Sequence, residues 1–133
     1  MTSPKRVEEL FAVDAYARRL GIALVDPDPS RVTVRMPITA DHLNFYDVTH
    51  GGALFSIADC AFSLASNAHG YRAVAIDTHL ALTAGTTEGA TLTAVAEEAT
   101  RGRTLATYRV TVTRDDGRVC GLFTGTVHIS QTV

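Results

Sequence analysis

The sequence predicts an α+β fold in which a curved antiparallel sheet wraps around one long helix. Three observations lead there. The run His50 to Asn67, HGGALFSIADCAFSLASN, is almost wholly uncharged and carries a single carboxylate, Asp59. From Ala73 onward the apolar residues recur at period two in segments rich in Thr and Val, as in strands with one covered face. The helix is apolar over most of its circumference, so it has to be buried on nearly all sides.

The elements follow in order. Ser3-Pro4 reads as an N-cap followed by proline at the first helical position. Val7, Leu10, Phe11, Ala17 and Leu20 recur at roughly helical spacing and Gly21 is placed to stop them, which predicts one N-terminal amphipathic helix on the outside of the fold. Ile22–Val25 and Val32–Met36 flank DPDPS and predict a short hairpin. The loop ITADHLNFYDVT leads into the central helix, from His50 to about Ala68, stopped by Gly70. Strands are predicted over Ala73–Leu82, Thr91–Ala99, Thr104–Arg114 and Arg118–Ile129, with Asp115-Asp116-Gly117 as a hairpin turn. In the third of these, Ala106, Tyr108, Val110 and Val112 alternate with Thr107, Arg109, Thr111 and Thr113, so only one face is covered.

The 133 residues form one expected domain, 1–133, with a formal net charge of −2 and no bias toward nucleic acid or an anionic membrane. The first residues, MTSPKRVEEL, carry charges where a signal peptide would be apolar, and no segment is long enough to span a bilayer. Cys60 and Cys120 are isolated and read as packed, reduced thiols. His42, His69, His79 and His128 share no metal-ligand spacing, and no metal or cofactor is expected. A cytoplasmic protein follows as the expectation.

At roughly 100° per residue, Ser56, Asp59, Ser63, Ser66 and Asn67 fall within about a third of the central helix's circumference. Asp59 therefore lies in a polar stripe suited to lining a cleft. Gly51 and Gly52 open the helix, where uncovered N–H groups and the positive end of the dipole suit a developing oxyanion. A carboxylate and such a helix end are what hydrolysis of an activated acyl group requires. Gly51 and Asp59 are eight residues apart, about 12 Å along a helix, so one carbonyl cannot touch both. If both act on one substrate, they come from two chains meeting across a two-fold axis.

The run from Asn44 through HGGALFSIADCAFSLASNAHG resembles the signature of hotdog-fold thioesterases, in particular the phenylacetic-acid-degradation (PaaI) type of acyl-CoA thioesterase. LATYRVTVTRDDGRVCGLFTGTVHI resembles the same group. The resemblance implies a dimer with shared sites that pairs into a homotetramer, no cofactor, and an acyl-CoA substrate carrying a phenylacetyl or hydroxyphenylacetyl group. It assigns Asp59 as the catalytic carboxylate, Gly51 as the backbone donor, Asn44 as the site amide and His50 as the motif histidine that arranges the loop. Gly52, Ser63, Thr78, Arg101 and Arg103 complete the candidate set as substrate-binding residues. Thr78 is the nearest hydroxyl where relatives hold the attacking water, because this chain has Ala75 and Ile76 there. Phe45 stands where glycine is usual, and Gly85 where proline is common. Arg101-Gly102-Arg103 reads either as an exposed charged turn or as a contact for the phosphates of coenzyme A. The alternative for Asn44 is a residue that braces its own loop. The alternative functions are a non-catalytic acyl-CoA-binding module and a hotdog hydratase or dehydratase.

Overall fold

The computed structural model describes residues 3–131; residues 1–2 and 132–133, the outermost ends of the expected domain, lie outside them. Helix α1 spans Pro4–Ala12, and the Ser3 side chain accepts from the Arg6 N–H at 3.1 Å as its N-cap. The single N-terminal helix expected from the periodicity is in fact two. Asp14 takes an extended conformation and its carboxylate accepts from the Ala17 N–H at 3.0 Å, capping a second helix, α2, Ala15–Arg19. An aspartate is a better cap than helix interior, and here that preference overrides the apolar spacing. Gly21, at φ +80, ends α2 in the left-handed region as expected.

Strands β1 (Ala23–Asp26) and β2 (Val32–Pro37) form the short hairpin. Helix α3, Gly51–Asn67, follows the loop, and then β3 (Ala73–Leu82), β4 (Thr91–Arg101), β5 (Leu105–Thr113) and β6 (Val119–Ile129). The six strands form one antiparallel sheet in the order β1-β2-β4-β5-β6-β3. It curls around α3, the hotdog arrangement that the resemblance implied. Ala106, Tyr108, Val110 and Val112 are buried against the helix while Thr107 and Arg109 face outward.

The core is centred on Phe62 of α3, whose ring meets Tyr108 at 5.9 Å and Phe123 at 5.3 Å between centroids. Fully burying a ring of this size stabilises the fold by about 2–3 kcal/mol. It fits because β6 carries Gly125 beneath it. A Cβ at that position would stand 2.7 Å from Phe62 Cζ and 2.9 Å from Phe123 Cε1.

At its C-terminal end α3 is tied to the sheet by Asn67. The Asn67 amide donates to Ala73 O at 3.2 Å, and its Oδ1 accepts from the Ala73 N–H at 2.9 Å.

The two edges of the sheet differ. Strand β1 is four residues long, pairs irregularly, and runs into Pro27 and Pro29. Strand β3 is ten residues long, has no proline, and leaves Val74, Ile76 and Leu82 exposed at 53, 60 and 59%. Its pairing with β6 shifts register between Ala75 and Asp77.

Candidate active site

The first turn of α3 has N–H groups without intrahelical acceptors. His50 is the N-cap, and its Nδ1 accepts from the Gly52 N–H at 2.8 Å. His50 O accepts from the Ala53 and Leu54 N–H groups. Among the described residues no acceptor meets the Gly51 N–H. Of the two glycines, then, Gly51 keeps a free donor at the positive end of the helix, and Gly52 spends its own on His50. The expectation that Gly52 binds substrate through its N–H is corrected on that ground. His50 caps the helix start.

Gly51 is held in place from both sides. Thr49 N–H donates to Thr86 O at 2.9 Å, and the two threonine hydroxyls bond to each other in a buried contact. His42, also buried, accepts the Thr39 N–H at Nδ1, at 2.9 Å, which leaves the ring proton on Nε2 to donate to Leu20 O at 2.7 Å. Its carbonyl accepts from His50 N–H at 2.8 Å. The histidine thus joins the loop to the end of α2.

Asn44 braces its loop and still has a donor to offer. Its Oδ1 accepts from the Tyr46 N–H at 2.8 Å and from the Val48 N–H at 3.4 Å. No acceptor among the described residues meets its amide protons. Asp47, at φ 59, completes this tight turn. Phe45 and Tyr46 project from it into solvent, ring centroids 4.8 Å apart.

Asn44, Thr49 and Gly51 line one cleft of about 330 Å³, together with Leu82 and Thr83. Asp59 lines a different cleft of about 340 Å³, with Asp14, Tyr16, Phe55, Ser56 and Ser63. The two share no lining residue, in keeping with the spacing along α3. Asp59 is half-buried, and no hydrogen bond or ion pair engages its carboxylate among the described residues. Burial pushes its pKa above the ordinary carboxylate value, and the Asp14 charge adds to the shift. Cys60, in the same cleft, is pushed up to about 12 by burial and stays a thiol.

The polar stripe divides. Ser56, Asp59 and Ser63 face the cleft, whereas Ser66 is buried with its hydroxyl on Ser63 O, and Asn67 holds Ala73. The expectation that all five line one cleft is corrected: the last turn of the helix is fastened under the sheet. Thr78 is exposed on β3, shares its strand face with Leu80, and does not line the Asp59 cleft. Arg101 is engaged elsewhere. Its Nη1 lies 3.6 Å from Glu98 Oε1 and 3.4 Å from the hydroxyl of buried Tyr108. Arg103 is exposed. Neither lines the clefts of Asn44, Gly51 or Asp59.

The sequence reading missed Asp14 and Tyr16 as walls of the Asp59 cleft. Asp14 carried a signal, since an aspartate three residues before a buried alanine is a capping pattern. The Tyr16 hydroxyl lies 3.3 Å from Ser56 Oγ, a pairing between α2 and α3 that no local pattern announces.

Among the described residues no group of three or more His, Cys, Asp or Glu is placed to hold a metal ion. No helix among them is long and apolar enough to cross a membrane.

A family model described as the thioesterase superfamily matches residues 46–121. A Deinococcus radiodurans protein named provisionally as an esterase is 43% identical over 114 residues, covering 85% of this chain and 77% of that protein. The Escherichia coli acyl-coenzyme A thioesterase PaaI is 34% identical over 119 residues, covering 90% of this chain and 85% of that protein. The structure of E. coli PaaI, from the phenylacetic acid degradation operon, superposes with a TM-score of 0.91 at 32% identity, over 95% of this chain and 91% of that one.

Proposed function

Because the chain belongs to the thioesterase superfamily and is a thioester hydrolase, we propose that it hydrolyses an acyl-CoA, with a phenylacetyl or hydroxyphenylacetyl group, to the free acid and coenzyme A. The observation that carries the mechanism is the division of Asn44 and Gly51 from Asp59 between two clefts. Each active site is built at a two-fold interface. One protomer supplies the Gly51 N–H to the thioester carbonyl and the Asn44 amide to substrate or water. The partner supplies Asp59.

The chemistry follows from the state of each group. Charge developing on the carbonyl oxygen meets an open N–H at the positive end of α3. The raised pKa of Asp59 makes its ionised form a stronger base and nucleophile than an ordinary carboxylate. It either takes a proton from the attacking water or attacks the carbonyl itself. In both cases the carbon–sulfur bond breaks and the thiolate of coenzyme A leaves, to be protonated by solvent; where Asp59 is the nucleophile, a water molecule then cleaves the acyl–Asp59 anhydride, which releases the acid and restores the carboxylate. Ser63 lines the acid's cleft beside the reacting centre, and exposed Arg103 supplies a cation for the coenzyme's phosphates.

The dimer reading is also supported by β3, a long, apolar, proline-free edge of the kind that proteins cover. Pairing along it and then back to back gives the homotetramer, and the protein works in the cytoplasm. Asp59→Asn, close in shape but unable to act as base or nucleophile, is expected to lower kcat for thiol release at least about a hundredfold with the fold intact by circular dichroism. Turnover above a tenth of wild type would refute the role of Asp59.

A further inference from the structure

The helix pair α1–α2 reads as an outer layer, yet α2 forms one wall of the cleft that holds Asp59. We propose that Asp14 is a positioning residue for hydrolysis: fixed as the N-cap of α2, it sets a second negative charge in the cleft from which Asp59 acts on the thioester.

Three observations carry this. Asp14 and Asp59 line the same cleft. Asp14 is immobilised there, because its Oδ1 accepts from the Ala17 N–H at 3.0 Å and the neighbouring Tyr16 reaches Ser56 across the cleft. Among the described residues no cationic side chain, Lys, Arg or His, lines the cleft that holds the two carboxylates. The titratable groups facing Asp59 are Asp14 and Tyr16 from α2 and Cys60 from α3 itself. A fixed like charge in a partly desolvated cleft disfavours ionisation of its neighbour, and Asp14 is the charged neighbour that raises Asp59. A cap needs only an acceptor oxygen, which Ser, Thr or Asn would also supply. The charge of aspartate favours the helix end and, beyond what a neutral cap would do, also acts on the cleft.

The inference rests on the proposed role of Asp59, and its test separates the two. Asp14→Asn keeps a capping oxygen and removes the charge. The Asp59 carboxyl is titrated directly by carbon-detected NMR in wild type and variant, and kcat/KM for an acyl-CoA thioester is measured across the same pH range. The expected result is a lower midpoint for Asp59 in the variant, the direction that removing a like charge from a partly solvated cleft gives. The acid limb of kcat/KM moves down by the same amount, and the plateau rate falls by about twofold or less as the base weakens. Asp14→Ala, which loses cap and charge together, should show the same displacement and a lower melting temperature. An NMR midpoint that stays in place in Asp14→Asn would overturn the proposal. A midpoint that moves while the acid limb stays would overturn it too, by removing Asp59 as the group on which the rate depends.

Discussion

A site divided between protomers can be rebuilt from two broken ones. The perturbations are Asp59→Ala, which removes the acid, and Asn44→Asp, which removes the free amide protons but keeps the Oδ1 that holds Tyr46 and Val48. Asn44→Asp also places a negative charge beside the carbonyl whose own charge has to grow. Gly51 and Asp59 are about 12 Å apart along α3, and their clefts have no lining residue in common. Each homodimer of a variant therefore has two defective sites. In a mixed dimer one site carries both defects and the other carries neither. Equal co-refolding makes half the dimers mixed, each with one working site of two, so the pool regains about a quarter of wild-type activity. Thiol release is the assay, with native mass spectrometry reporting the fraction of mixed dimers. If mixed dimers form and activity never exceeds that of the separate variants, the two clefts do not serve one site.

Three other outcomes follow from particular groups. The raised pKa of Asp59 means its ionised form disfavours the folded state above the folded-state pKa, a cost that disappears as pH falls below the ordinary value of 3.8. Asp59→Asn should accordingly raise the melting temperature near pH 7 by about 2 °C, with the gain shrinking in acid; an equal gain at both ends of the pH range would contradict the burial argument. Gly125→Ala forces a methyl against Phe62 and Phe123, both packed too tightly to swing away, and should cost about 2 kcal/mol in a urea titration; unchanged stability would mean the ring cluster yields. Arg103→Ala should raise KM for an acyl-CoA and leave a pantetheine thioester unaffected, whereas equal kinetics with both would make that arginine an exposed turn residue.

Much of the fold could be read because its signals are local. The period of two found β3 to its end residues, and Asp115-Asp116-Gly117 marked the hairpin between β5 and β6, with Gly117 at φ +84. The central helix was legible from its apolar circumference and its flanking His50 and Gly70. What escaped depended on atoms brought together from afar or on competition between two local rules. Asp14 could continue a periodic helix or cap a new one, and the cap prevailed. Gly51 and Gly52 are alike as letters; only the reach of the His50 ring to one N–H distinguishes them. Arg101 looked available for phosphate because its partners, Glu98 and Tyr108, meet it only once β4 and β5 are paired. The separation of the acid from the donor was legible without any coordinates, since rise per residue alone sets it.

The unequal edges of the sheet have a consequence for how many copies can join. A strand edge that accepts another strand passes on a new edge, and a molecule open at both ends could add neighbours without limit. Here β1 is short, irregularly paired and followed by two prolines, while β3 is long and bare. A chain with a single receptive margin is a terminator as well as a joiner. In the proposed assembly two such margins meet and leave no receptive edge, so edge-to-edge growth would stop at two. The prolines of DPDPS, far in sequence from Asp59, would on this reading help to leave the sheet only one receptive edge.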